Sequence, residues 1–281
     1  MELLTALILG LVALGMVGVG IAWIGFQTLA PPFKPPAGTP RELERRPLPE
    51  GLPAPVERWL RQVCGDGDLP VVHTAVGWGR GRLRLGVVWA PTRFRTHQRP
   101  GERFERTLDV SWFGRPIVRT HERYAAGRGS VDAHGRIERQ RRGPRVDRAQ
   151  HLALWAETLW APATLALDPR LSWRAVDERS AELDVPWDGG TETLVFTFDP
   201  RNGWLRRIEA SRPRGDDADL HRWRVDLRSW QELDGHQVPT VAVVRWLDQL
   251  APYAILHLHG VAYDLEEPVA EVDDEEEDDF D

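Results

Sequence analysis

A single cysteine, Cys64, stands among 281 residues. It excludes a disulfide within the chain and cannot hold a metal cluster alone, and it does not decide the compartment. Catalytic signatures are missing as well. The chain has no G-x-S-x-G, no P-loop, no H-E-x-x-H and no dinucleotide fingerprint. Gly77, Gly79 and Gly81 alternate, a pattern that fits strand crowding or a turn better than a phosphate cradle. His257 and His259 lie two apart in a strand and point the same way, but a metal would need a third ligand and none is evident. Asp109 and Glu122 carry acid chemistry, yet nothing in the sequence fixes their separation. Cys64 has no base beside it in sequence to make it a nucleophile. No catalytic residue, metal site or cofactor is expected, and an enzyme is the least favoured class.

The amino terminus lacks a basic side chain, and Glu2 is the one charged residue before an apolar run. Residues 3–26 are almost wholly apolar, with Thr5 the one ordinary polar residue, and 24 residues are enough to span a bilayer with some tilt. A cleavable leader fits less well, because there is no basic start, no small-x-small site after the run and no lipobox cysteine. Residues 1–29 are therefore read as a single-pass membrane anchor. Lys34, Arg41, Arg45 and Arg46 follow the span, so the charge rule favours a cytoplasmic domain, with the side left open. Residues 30–51 are proline-rich and read as a stiff stalk. From Pro53 to Val63 the apolar residues Val56, Trp59, Leu60 and Val63 recur at helical spacing, and Gly65 ends the run.

Net charge is −7 but unevenly spread. Residues 80–148 hold 18 Arg against 7 acids, and residues 149–281 hold 12 Arg against 29 acids, eleven of them in residues 266–281. The arginines of the first block alternate with apolar residues, which marks a solvated sheet face rather than a nucleic-acid surface. Residues 266–281 read as an acidic disordered tail able to steer a basic protein partner.

Between these ends the chain alternates with period two. Val71–Trp78, Leu83–Trp89, Phe104–Trp112 and Ile117–Tyr124 read as half-buried antiparallel strands. The pattern resumes at Leu171 and runs through Ala181–Trp187, Leu194–Phe198, Leu205–Ser211, Trp223–Leu227, Val238–Leu247 and Tyr253–Tyr263. Asp188-Gly189, Asn202-Gly203 and Asp234-Gly235 mark turns. One long helix interrupts, over residues 147–160, with Asp147 as N-cap, Gln150 as its capping-box partner and Pro162 as its stop. The expected fold is mainly β: a large curved antiparallel sheet or incomplete barrel of eleven or twelve strands over residues 52–265, with one inserted amphipathic helix on its concave face. Thirteen tryptophans suit a broad, strongly curved interior. Periodicity does not separate an enclosed cavity from a solid core.

Several short stretches carry a resemblance. Pro55-Val56-Glu57-Arg58-Trp59-Leu60 looks like an opening P-V-x-R-[YW]-L motif, and Leu154–Pro162 like L-x-E-x-x-W-x-P. Trp173, Asp177 and Ala181 resemble a further stretch, and Gly235, Val238-Pro239 and Trp246 a late G-x-x-[IV]-P…W element. Together, over residues 52–263, they resemble an uncharacterised family of mostly bacterial membrane-anchored proteins. By shape alone the plan is similar to the lipoprotein-carrier fold, an analogy that assigns no function. The resemblance implies a place in the bacterial cell membrane and singles out Glu157, Trp160, Pro162 and Arg212. Glu157, at the edge of the helix's apolar face, needs a cationic partner if half-buried, and Arg212 is the first choice. The candidate ligand-binding set is Glu157, Trp160, Arg212, Trp155 and Trp112. Two functions follow: a non-catalytic, membrane-tethered module binding a lipid or other apolar ligand, or an envelope scaffold with a solid core that binds a protein. Neither involves nucleic acid.

Overall fold

Thirteen strands form one continuous antiparallel sheet that does not close into a barrel. The computed structural model describes residues 2–266 apart from 216 and 218, so the acidic tail expected beyond 266 lies outside the described residues. The first six strands are β1 (Ala75–Leu85), β2 (Val88–Arg99), β3 (Arg103–Trp112), β4 (Arg115–Ala125), β5 (Arg128–Gly135) and β6 (Arg139–Arg141). They form a meander, each paired with the next. The second meander contains β7 (Ser172–Asp177), β8 (Ser180–Trp187), β9 (Gly190–Phe198), β10 (Leu205–Pro213), β11 (Leu220–Leu233), β12 (His236–Trp246) and β13 (Ala254–Tyr263). The two join where β13 pairs with β1, from Ala254↔Leu83 to Tyr263↔Ala75. The sheet order is therefore β7 through β13, then β1 through β6.

Local chemistry explains the meanders. Inward positions alternate with outward ones along each strand, as in β8, where Ala181, Leu183 and Val185 are fully buried. Asp188-Gly189 and Asp234-Gly235 close two-residue hairpins with positive φ at both positions, 42° and 76° in the first, 52° and 73° in the second. That geometry matches the strands' own twist and suits an Asp-Gly pair. At the seam, the inward side of β1 is Gly77, Gly79 and Gly81. A Cβ on Gly79 would collide with the His257 carbonyl, and one on Gly81 with the Ile255 carbonyl. The alternating glycines are a crowding device, and they let the sheet bend sharply between its two limbs.

Among the described residues, four helices accompany the sheet. Helix α1 (Glu2–Gln27) is exposed over almost its whole length, and residues 4–27 are long and apolar enough to cross a membrane by length and composition. Its last turn meets the β3–β4 hairpin: Phe113 N–H donates to the Gly25 carbonyl at 2.9 Å, and Trp112 Nε1–H to the Ala22 carbonyl at 3.2 Å. The residues read as a stalk do not stand free. They run along the outer face of β2, with Phe33 beneath the Arg93 and Arg95 guanidinium groups at 4.3 and 5.1 Å from its ring centre. Thr39–Pro40 then pairs with Leu265–Glu266, and Glu44–Arg46 with Leu69–Val71. The strap thus covers Asp109, which is wholly buried on that face between Arg93 (2.8 Å) and Arg119 (2.9 Å).

Helix α2 (Ala54–Cys64) buries Val56, Trp59, Leu60 and Val63 against the second meander. Each such side chain contributes roughly 1.5–3 kcal/mol. Helix α3 (Pro144–Glu157) continues into a 3-10 turn, Thr158–Trp160, and then α4 (Pro162–Leu167). It begins three residues before the position read from the sequence: Gly143 is the N-cap, and Pro144 fits the first turn because it has no N–H to satisfy. Asp147 is not a cap. Its carboxylate accepts the Gly129 N–H at 2.6 Å and pairs with Arg128 at 3.3 Å, tying α3 to β5. On its other side Arg148 binds Glu192 of β9 at 2.6 Å. The helix bridges the two limbs of the bent sheet.

Candidate functional site

Between α3 and the inner face of the sheet lies a cavity of about 330 Å³. Its volume falls at the lower end of the roughly 300–1,000 Å³ usual for small-molecule sites. The wall is mostly apolar: Phe94 and Leu108 from the first meander, Val225, Leu227, Ala242, Val244, Leu256 and Leu258 from the second, and Ala153, Ala156 and Leu159 from the helical segment. Trp160 lies over the glycine stripe, with the outer edge of its ring at the place a Gly77 side chain would fill. Leu83, Arg84 and Leu85 carry the wall to the tip of β1, where Leu85 is exposed.

Besides Arg84 at the tip of β1, four charged groups interrupt this surface: Arg106, Glu122, Glu157 and Arg212. Three occupy the inward parity of strands that are mostly apolar there. Arg106 lies between Phe104 and Leu108 on β3, Glu122 between Val118 and Tyr124 on β4, and Arg212 follows Ile208 and Ala210 on β10. β3 and β10 are separated by five strands in the sheet, and its curvature brings them to one cavity.

Arg106 Nη2 approaches Glu157 Oε1 to 2.6 Å, and its Nε lies 3.5 Å from Glu122 Oε2. Glu157 thus pairs with Arg106 and not, as its place in the sequence suggested, with Arg212. The cross-strand register Arg106↔Glu122 sets the guanidinium where the end of α3 delivers Glu157. The charges are close but their alignment is poor: Arg106 Nε and Nη2 and Glu157 Oε2 make no hydrogen bond. Burial works against Arg106's charge, but Glu157 and Glu122 outweigh it and hold its pKa above the ordinary value. Burial pushes the Glu157 carboxyl above its ordinary value, further than the attraction of Arg106 brings it back.

Among the described residues no carboxylate lies at ion-pair distance from Arg212, and its Nε has no hydrogen-bond partner. Its guanidinium lies against two indoles, 4.7 Å from the Trp223 ring centre and 5.8 Å from that of Trp246. Burial holds its pKa below the usual arginine value, with Tyr253, Glu122 and Glu157 opposing. Tyr253 accepts the Trp223 Nε1–H at 2.9 Å, which leaves its own O–H to donate. Arg106 and Tyr253 were not singled out from sequence, and Glu122 was weighed only with Asp109. The signal shared by Arg106 and Glu122 is a charged side chain on the apolar parity of a strand.

Of the other sequence candidates, Trp155 and Trp112 lie outside the cavity. Trp155 is buried in the core; its Nε1–H donates to His151 Nε2 at 3.2 Å, and its ring meets Arg170 at 5.6 Å. Trp112 lies at the β3–β4 turn and clasps α1 against Gly25, which has no side chain to block the ring. Burial pushes the Cys64 thiol up to about 12, which disfavours a nucleophilic thiolate. Asp109 and Glu122 occupy opposite faces of the sheet and do not act together. Among the described residues no group of three His, Cys, Asp or Glu side chains is placed to hold a metal.

An open antiparallel sheet folded over a bridging helix, with a largely apolar cavity between them, defines the class: a curved-sheet protein with an internal cavity. Within it, the chain belongs to a family of unknown function (DUF6544), whose model matches residues 42–256. No curated protein matches the chain. Similar solved structures include a LolA superfamily protein from Nitrosomonas europaea, at 11% identity and TM-score 0.47, covering 76% of this chain and 94% of that one. A DUF1329 family protein from Desulfovibrio piger shows 13% identity and TM-score 0.42, covering 75% and 92%.

Proposed function

We propose that this protein is a membrane-tethered, non-catalytic binding module that holds an apolar molecule with an anionic head in its curved-sheet cavity. The observation that carries this reading is Arg212. A guanidinium with no carboxylate partner among the described residues, set in the wall of an apolar cavity, is a buried donor awaiting an acceptor. An anionic oxygen would take charge-assisted hydrogen bonds from it and a further bond from Tyr253 O–H. The apolar remainder of such a ligand would lie along Phe94, Leu108 and Leu256. The unmet Glu157 Oε2 offers a place for a hydroxyl or water. In this reading α1 is the anchor that keeps the cavity at the bilayer.

The test is native mass spectrometry of the full chain purified from membranes, with extraction and identification of bound lipid. A stoichiometric anionic amphiphile is expected. Arg212→Leu should lose it by at least tenfold in occupancy, while its unfolding midpoint changes little, because no ion pair is broken. A well-folded wild-type protein that carries no amphiphile and takes up none from anionic lipid micelles defeats the proposal and favours a protein-binding scaffold.

A further inference from the structure

Outside residues 4–29, the described residues include seven large apolar side chains that are exposed: Leu85, Val87, Phe113, Ile137, Val176, Leu220 and Leu250. Five of them occupy four neighbouring turns. Leu85 and Val87 are at the β1–β2 hairpin, Phe113 at β3–β4, Ile137 at β5–β6 and Leu250 at β12–β13. Because β12, β13 and β1 through β6 are consecutive in an antiparallel sheet, these turns all project from one end of it. Val87 and Leu250 are 93% and 105% exposed, so neither contributes to the core. Apolar tips on four successive turns need an explanation that a solitary exposed leucine does not.

Helix α1 leaves the domain at this same end. Phe113, one of the five, holds the Gly25 carbonyl, and the residues before Ala22 extend past the turn with exposed side chains. Arginines surround the tips: Arg84 beside Leu85, Arg115 beside the Phe113 turn and Arg136 beside Ile137. Apolar tips with an arginine beside three of the four turns match the chemistry of a bilayer interface with anionic headgroups.

We infer that this end of the sheet docks on the bilayer surface, as a second membrane contact distinct from the spanning helix. The side chains of Val87, Leu250, Phe113 and Ile137 insert among the headgroups. The arginines meet lipid phosphate. The cavity wall reaches the same end at Leu85, so docking sets the mouth of the cavity against the lipid. The inference rests on α1 as the anchor but not on the identity, or even the presence, of a cavity ligand.

The experiment uses the full chain in vesicles of phosphatidylcholine with a minority of phosphatidylglycerol. In a Cys64→Ser background, single cysteines at Val87→Cys, Leu250→Cys and Val176→Cys carry an environment-sensitive fluorophore. Val176 is the comparison, an apolar side chain 53% exposed near the end of β7, on the other limb. Phosphatidylcholine spin-labelled high on its acyl chain is the quencher. Docking predicts quenching at 87 and 250 at least about twofold above that at 176. Equal and weak quenching at all three positions, on a chain that floats with the vesicles, overturns the docking and leaves the anchor standing. A chain that does not float removes both.

Discussion

Arg106 and Glu157 form a half-satisfied pair in the wall of the cavity, largely shielded from solvent, and breaking one side should be expensive. Arg106→Leu is expected to destabilise the fold by about 3–5 kcal/mol, because it leaves Glu157 buried without a counter-charge. Arg106→Leu together with Glu157→Leu should cost clearly less than Arg106→Leu alone, and urea unfolding of the three proteins measures the difference. His151 is a second sensitive position. Trp155 can only donate, so His151 Nε2 must be the acceptor, and Nδ1–H faces the Tyr124 hydroxyl at 2.8 Å. The ring is therefore neutral, consistent with a pKa driven from 6.5 to about 4 by burial, with Arg170 adding to the effect. The unfolded chain binds this proton first as pH falls. Stability from the neutral ring is complete above about 6.5 and is lost as pH falls toward 4, by up to roughly 3 kcal/mol. His151→Gln should flatten that part of the pH–stability curve, whatever it does to stability at neutral pH. At this scale the sequence is only partly legible. Glu157 was found because it sits at the edge of the helix's apolar face and in the L-x-E-x-x-W-x-P stretch, whereas Arg106 was read as a spacer between apolar residues although it shares their parity.

At the scale of elements, alternation and turn chemistry reveal most of the structure. Asp188-Gly189 and Asp234-Gly235 fall where two-residue hairpins occur, and the strands between them keep the expected parity. Helix α2 buries the four residues whose spacing marks it. The start of α3 is not legible in the same way. Asp147 has the right chemistry for a cap, and only the nearness of Gly129 shows that its carboxylate is used across elements. The glycines of β1 give a graded test. Gly79→Ala should destabilise by about 3 kcal/mol, because the new methyl meets a backbone carbonyl that cannot retreat without opening the seam. Gly77→Ala should cost about 1 kcal/mol, because a Cβ there lies 2.7 Å from the edge of the Trp160 ring, which can tilt away. Comparison of the two melting temperatures checks the order.

At the scale of the molecule, the cavity could not be read from the sequence. Period two tells which residues face inward but not how far apart opposing walls stand, and curvature accumulates over many strands. The strap over Asp109 was equally hidden, because proline-rich segments look alike whether they pack or not. The plan of the sheet has one more consequence. Its central pair is formed by chain segments that emerge far apart in time, since Leu83 waits for Ala254, 171 residues later. At roughly 5–20 residues per second, a ribosome leaves the edge of β1 open for about ten to thirty seconds. During that interval the edge offers glycine on one side and Arg80, Arg82 and Arg84 on the other, a poor template for a stray strand. The same residues that allow the finished sheet to bend protect the unfinished one while it is being made.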